Sequence, residues 1–356
     1  MRIGYSHWGF LGGGITDTPD GGRSHRRTLL DGLADRGHHI VLLQANRDLA
    51  EAGEDFTHQY TWDEGIPPID ALMLEWRWPI AGRNTTPCGS AGHTCDLHRQ
   101  RDLIRTYTRG LGLPTLLWDK DLHLAPDDPI RSDPAITVCE AALFPHSGAR
   151  SLLFPVRDAC LDTADPERLA KTRRDLPLVY AGNQYDRDDA FDRYFAPAAR
   201  HHRHLVAGKW PRTAAWPHVT FVGRRPFAEV ESLHRRALTT MLLAPVRYVA
   251  CGQFTQRLFE AVLTGCLPIG AADMRGVDRV LPADLIAADG AEATRLITHI
   301  TRIAGTERHA QLIADCLDRL EPFRLSHQVP VIESALTPDT TVGVEGAEDL
   351  LRRCTP

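Results

Sequence analysis

Apolar and polar positions along this chain fall into blocks that repeat a strand, a loop and a helix. The first block opens with a short apolar run, Arg2 to Ser6, then the loop GFLGGGITDTPDGG. A stretch over 23–36 follows, in which Thr28, Leu29, Leu30 and Leu33 supply the inner stripe of a helix. Gly37 stops that helix, and HHIVLLQ reads as a second buried strand. DALMLEWRW (70–78) and LPTLLWDKD (113–121) are further strands with a helix over about 97–109 between them, and ITVCEAAL and SLLFPV finish the set. Apolar strands joined through helices form a parallel sheet with both faces covered.

A charged, apolar-poor segment over 158–175 interrupts this alternation, which then restarts. LPLVYAG, HLVAGKW, HVTFVG, TTMLLAPV, CLPIG and DLIAA read as strands. DDAFDRYFAPAAR, FAEVESLHRRA, residues 254–264 and EATRLITHITRIA read as helices. The pattern predicts an α/β protein of two Rossmann-like doubly wound domains facing across a cleft. An acceptor-side domain spans 1–165 and a second domain 170–327. A tail over 328–356, with a final helix GAEDLLRR, is placed back against the first domain. Ligands of such sheets sit beyond the carboxyl ends of the strands, so the cleft is the expected site.

Composition narrows the function classes. With 43% hydrophobic residues in 356, each half can bury a core of its own. A net charge of −5 and a pI near 6.4 exclude a uniformly basic nucleic-acid-binding surface, leaving only the local runs RSHRR, HRQRDLIR and RHHRH. Eight irregularly spaced cysteines suit a reducing compartment. The opening MRIGYSHWGF lacks the basic start and apolar run of a secretion signal, and no apolar run is long enough to span a membrane. A cytoplasmic protein is expected; its oligomeric state is open.

Candidate chemistry concentrates in GQFTQRLFEAVLTGCLPIG, residues 252–270. On a helix over 254–264, Phe254, Leu258, Phe259, Ala261, Val262 and Leu263 form a broad apolar arc, while Gln253, Gln256, Arg257, Glu260 and Thr264 fill the remaining sector. With that helix starting at a strand's carboxyl end, the amides of Gly252, Gln253 and Thr255 point into the cleft and suit phosphate oxygens. Arg257 offsets pyrophosphate charge, and the Glu260 carboxylate accepts two hydrogen bonds from a vicinal diol such as ribose. Gly182, Asn183 and Arg187 after LPLVYAG, Lys209 after HLVAG and Arg224 after HVTFVG are further strand-end candidates.

In WDKD, Asp119 and Asp121 share one side if the strand persists, and either can serve as a base toward an acceptor hydroxyl. In LEWRWP, Glu75 and Arg77 share one side and Trp76 and Trp78 the other. The triplet Asp119-Lys120-Asp121 lacks further metal ligands, so no metal is expected there. Cys88, His93, Cys95 and His98 offer four ligands of the right chemistry for zinc, at a spacing unlike the common fingers; a plain loop covering the acceptor side is the expectation, with zinc the alternative. The loop with Gly12, Gly13 and Gly14 is not a dinucleotide fingerprint. Asp17 stands where a third Gly belongs, and LQAN ends the second strand without a ribose-binding carboxylate.

FEAVLTGCLPIG resembles the donor-site segment of glycosyltransferases of the GT-B architecture, in which the Glu holds the ribose of a nucleotide-sugar donor. VTFVGRRPFAEVESLHRRALTTMLLAP is similar to the strand, Gly loop and helix ahead of that site, and GGGITDTPDGGRSHRRTLLDGLADRGHHIVLL to the family's N-terminal Gly loop and first helix. WDKD resembles the strand-end His-Asp segment of retaining members, including the phage DNA alpha-glucosyltransferase, with Asp in place of His. Retaining members often carry a second Glu eight positions before the ribose Glu, where Gly252 stands here. Retention versus inversion is therefore open.

The resemblance implies a metal-independent transferase with no cofactor. It would move a sugar from a nucleoside-diphosphate sugar, with UDP or GDP as carrier, to an acceptor hydroxyl. Glu260 would hold the ribose, and Lys209, Arg187, Arg257 and the 252–255 segment the diphosphate. Gly12 to Gly14 would lie near donor and acceptor, and Asp121 or Asp119 would act at the reacting sugar. Alternatives are a transferase acting on a modified DNA base, a nucleotide-sugar isomerase or epimerase, and a non-catalytic nucleic-acid-binding protein.

Overall fold

A computed structural model of the chain describes residues 1–15, 22 and 25–337. The first sheet contains β1 (Arg2–Ser6), β2 (His39–Leu42), β3 (Thr61–Trp62), β4 (Ala71–Glu75), β5 (Thr115–Asp119), β6 (Ile136–Glu140) and β7 (Arg150–Ser151), in the order β3-β2-β1-β4-β5-β6-β7. The second contains β8 (Leu176–Ala181), β9 (His204–Ala207), β10 (Phe221–Gly223), β11 (Ala237–Leu242), β12 (Leu267–Ala271) and β13 (Ile286–Ala287), in the order β10-β9-β8-β11-β12-β13. Every pairing is parallel, as apolar strands joined by helical crossovers require. β4 and β5 are buried at every position, and Trp118 at the centre of the first core donates its Nε1 to the Leu152 carbonyl at 3.0 Å. Leu29, Leu30 and Leu33 are fully buried on the helix Arg26–Asp35 and contribute about 1.5–3 kcal/mol each.

Three local differences from the periodicity matter for the site. TTMLLAPV does not lead straight into the 254–264 helix, because a separate helix, Val246–Cys251, lies between, started by Pro245 and ended by Gly252 at φ 62°. The following helix begins only at Arg257 and ends at Leu263. β5 stops at Asp119, and a turn over 119–122, in which the Leu122 amide donates to the Asp119 carbonyl at 3.4 Å and Leu122 has φ 50°, takes Asp121 out of the alternation.

The charged connection over 158–175 contains two short helices, Asp158–Asp162 and Pro166–Lys171. After the helix Glu307–Asp318, the helix Leu325–Leu336 returns to the first sheet and lies on the helix Arg26–Asp35 and on β4 and β5. There a Cβ on Gly32 would meet the Leu325 side chain at 2.8 Å, and Gln328 Oε1 accepts from the Leu153 amide at 2.8 Å. The segment GAEDLLRR lies outside the described residues. No helix among the described residues is long and apolar enough to cross a membrane.

Candidate active site

The carboxyl ends of the two sheets face one cleft of about 410 Å³. From the first half it is lined by Trp8 after β1, Arg77 and Trp78 after β4, and Lys120, Asp121 and His123 after β5. The second half contributes Asn183 and Arg187 after β8, Arg247 and Tyr248 from the helix after β11, and Thr255, Gln256 and Arg257. The halves touch at its base: Gln253 Nε2 donates to the Lys120 carbonyl at 2.7 Å, and Arg247 Nε donates to the Asp121 carbonyl at 3.0 Å.

Beneath the first-half wall lies a buried ion network. Glu75 Oε1 accepts from Tyr5 Oη at 2.5 Å and from Arg26 Nε at 2.7 Å, and its Oε2 accepts from Arg26 NH2 at 2.9 Å. Arg77 and Lys120 approach the same carboxylate at 3.6 and 3.9 Å. Burial alone would raise the Glu75 carboxyl, but Arg26, Lys120 and Arg77 hold it well below the ordinary range. Arg26 also donates to the Phe10 and Trp8 carbonyls, so it ties the loop after β1 to β4. The basic run RSHRR thus supplies an interior strut at Arg26.

The two aspartates of WDKD have different fates. Asp119 is fully buried and does not line the cleft; it accepts from the His123 and Leu124 amides at 3.0 and 2.7 Å. Burial pushes its carboxyl up to about 6 against those two bonds, and its task is to cap the turn that presents Asp121 and His123. The expectation that both carboxylates share one side fails because the strand ends between them. Asp121 lines the cleft, bonded to Lys120 Nζ at 2.8 Å and to Tyr248 Oη at 3.1 Å, with its side chain 27% exposed. Burial works to raise its carboxyl, yet the Lys120 ammonium prevails and holds it below the ordinary value, so it is ionised at neutral pH. His123, also in the cleft, stacks on Trp78 with ring centroids 4.1 Å apart.

The cations of the second half are partly as expected. Arg187 lines the cleft almost wholly buried, its guanidinium held by the Leu243 and Tyr185 carbonyls at 3.2 and 2.7 Å. Arg257 reaches under Gly182, where an added Cβ would lie 2.9 Å from the guanidinium carbon. Asn183 lines the cleft and accepts the Lys209 amide at 2.8 Å, but the Lys209 and Arg224 side chains are not among the lining groups. Gly252 and Gln253 do not present amides at a helix start. Gly252 closes the preceding helix, with Arg275 O and Phe144 crowding its Cβ position, and its carbonyl accepts the Leu143 amide. Gln253 is buried between the halves. Thr255 remains at the cleft. Glu260, half-buried, lines a second cavity of about 380 Å³ with Phe227, Val230, Glu231 and His234. The helix Arg257–Leu263 therefore carries Arg257 on one cavity and Glu260 on the other.

The Gly12 and Gly14 amides are not free, since they donate to Asp48 Oδ1 and Glu54 Oε2 at 2.8 Å each; Gly13 is open to solvent. Arg83, stacked 3.3 Å from the Trp8 ring centroid, and Tyr248, Arg247 and Lys120 line the cleft without having been singled out on sequence. Cys88, His93, Cys95 and His98 bring one ligand atom each within 4.8 Å of one another.

No family model matches the chain, and no curated protein matches it. Solved structures do. The T4 phage beta-glucosyltransferase in complex with UDP-glucose superposes with a TM-score of 0.63 at 12% identity over 95% of this chain and all of that one. The same enzyme with UDP and Mn2+ gives 0.65 at 11% over the same shares. A glycosyltransferase from Rickettsia africae gives 0.59 at 10% identity, over 95% of this chain and 99% of that one. Two facing parallel sheets and these superpositions show that the chain has the GT-B glycosyltransferase fold.

Proposed function

We propose that the protein transfers a sugar from a nucleoside-diphosphate sugar to an acceptor hydroxyl. The observation that carries this is the cleft itself, where an ionised, partly exposed Asp121 on the first half faces a buried Arg187 and a half-buried Arg257 on the second. Its lining holds six Lys and Arg residues against three carboxylates, a field suited to a diphosphate. In transfer, the acceptor oxygen bonds to the anomeric carbon as that carbon's bond to the donor phosphate oxygen breaks. Asp121 takes the acceptor proton, and Arg187, Arg257 and the Thr255 hydroxyl receive the charge that develops on the leaving diphosphate. The Trp78–His123 stack offers a flat wall to a sugar or base.

Several structural neighbours are solved with UDP or UDP-glucose, which supports a uridine carrier. A nucleoside diphosphate with its phosphates at Arg257 would reach Glu260, one turn further along the helix, by extending its ribose out of the cleft into the second cavity, which Glu260 lines. Calorimetry with UDP, GDP, ADP and dTDP tests the reading: micromolar binding of one supports it, and binding of none removes it. Since one neighbour is solved with Mn2+, the same titrations with added Mn2+ and with EDTA test metal independence.

A second reading takes a modified DNA base as acceptor, because the T4 neighbour is a DNA-modifying enzyme. The basic runs do not support a broad DNA face. Arg26 is internal, Arg105 pairs with Asp102, and RHHRH precedes β9 at the end of the sheet away from the cleft. That dispersal also weighs against a purely nucleic-acid-binding role. Incubating donor with hydroxymethylated DNA and with small acceptors separates these readings, and product analysis separates transfer from isomerisation.

A further inference from the structure

We propose that Cys88, His93, Cys95 and His98 form a closed tetrahedral zinc site that staples the loop carrying one side of the cleft. The four ligand atoms lie within 4.8 Å of one another, with Cys88 Sγ 3.0 Å from His98 Nδ1. Zinc–sulfur bonds of about 2.3 Å and zinc–nitrogen bonds of about 2.0–2.1 Å require a cluster of this size, and two thiolates with two imidazoles select zinc.

The hydrogen bonds fix the chemistry of one ligand. The Thr86 hydroxyl donates to the Arg83 carbonyl at 3.2 Å, so toward His93 Nδ1, 3.0 Å away, it acts as acceptor. Nδ1 then carries the proton, and the lone pair sits on Nε2, which is buried without a hydrogen-bond partner. That is the tautomer and atom a metal needs. Gly89 and Gly92, at φ 86° and 73°, let the short connection between the first two ligands reverse twice.

The loop also has reason to need a staple. Between Ile80 and Cys95 the sequence AGRNTTPCGSAGHT contributes no large apolar side chain to the core, so little hydrophobic burial offsets the entropy of ordering it. Its order nevertheless matters, because Arg83 and Asp96 both line the cleft. Thr94 connects them: its amide donates to the Arg83 carbonyl at 3.1 Å and its hydroxyl to Asp96 Oδ1 at 2.8 Å.

Elemental analysis of the full chain, purified under reducing conditions without chelator, is expected to find one zinc per chain. Cobalt(II) added to the metal-free chain is expected to give the visible absorption of a tetrahedral thiolate site. Cys88→Ser and Cys95→Ser should abolish that spectrum, Cys160→Ser, an exposed cysteine elsewhere, should leave it, and Thr86→Ala should weaken zinc binding roughly 10-fold. Hydrogen exchange over 83–96 should slow on zinc addition, which wild-type protein alone can show if the cysteine variants do not fold. Failure of the reduced wild-type chain to take up zinc or cobalt, a cobalt spectrum unchanged in the Cys88 and Cys95 variants, or a Cys88–Cys95 disulfide in place of metal each overturns the proposal.

Discussion

Replacing Asp121 by Asn tests the chemistry most directly. The amide keeps the shape: its oxygen can accept from Lys120 Nζ and its NH2 can donate to Tyr248 Oη, which now lie 2.8 and 3.1 Å from the carboxylate, so the contact between the halves survives. What is lost is the proton acceptor. A positioned base is worth about 10²–10⁴-fold in rate, or about 2.7–5.4 kcal/mol of barrier. The expected result is a fall of that size in kcat, with nucleotide affinity within about 3-fold, a difference of under ~0.7 kcal/mol. Release of the nucleoside diphosphate from each candidate donor, with acceptors and with water alone, is a readout that does not require the acceptor to be known. The pH profile adds an independent check. Burial would raise the Asp121 carboxyl, but Lys120 holds it below its ordinary value, so the base is ionised above that point and is lost only as pH falls through it. The acid limb should therefore lie below about pH 4. Unchanged turnover in Asp121→Asn, or an acid limb near pH 6 that disappears in His123→Ala, would refute the assignment.

Four other outcomes are expected. Glu260→Ala should weaken the preferred nucleoside diphosphate at least ~10-fold, or ~1.4 kcal/mol, by calorimetry; unchanged affinity removes Glu260 from the donor site. Arg26→Met strips the fully buried Glu75 of its two-pronged partner and should cost about 3–5 kcal/mol in denaturant unfolding, whereas Arg26→Met with Glu75→Leu should recover much of it. Because cations hold the Glu75 carboxyl below its unfolded value, its stabilisation is complete above about pH 4.3 and fades as pH falls further; Glu75→Gln should flatten that acid dependence. Gly208→Ala places a Cβ 2.0 Å from the Gly182 carbonyl at a φ of 140°, and should lower the melting temperature and loosen the Gly182–Arg257 contact; an unshifted melting curve would contradict the close approach.

Much of the fold was legible because its strands are buried on both faces. β1 lies at Arg2–Ser6 as the apolar run predicts, and the restart after residue 175 matches β8 at Leu176–Ala181. The site was harder, since its errors come from places where the chain turns. PVRYVACG carries Pro at its start and Gly just past its end, the punctuation of a short helix, yet the stronger apolar pattern downstream absorbed Gly252 into the next one. Strand alternation placed Asp119 and Asp121 together, but Asp119 takes the amides of residues 123 and 124 and bends the chain away. Tyr248 and Lys120 became visible only when two segments more than a hundred residues apart met across the cleft. The nearness of Cys88 to His98 likewise depends on how the loop closes, which spacing does not specify.

The return of Leu325–Leu336 to the first sheet has a consequence for how the protein is made. That helix covers Gly32, β4 and β5, with Ile332 and Leu336 fully buried, so the first half is not one continuous piece of chain. During synthesis the early half must wait, with an apolar face open to water, while the later half emerges and folds. A gene fragment cut near residue 320 would leave that face bare for good. Nascent chains stalled before and after residue 336 should therefore differ sharply in their demand for chaperones.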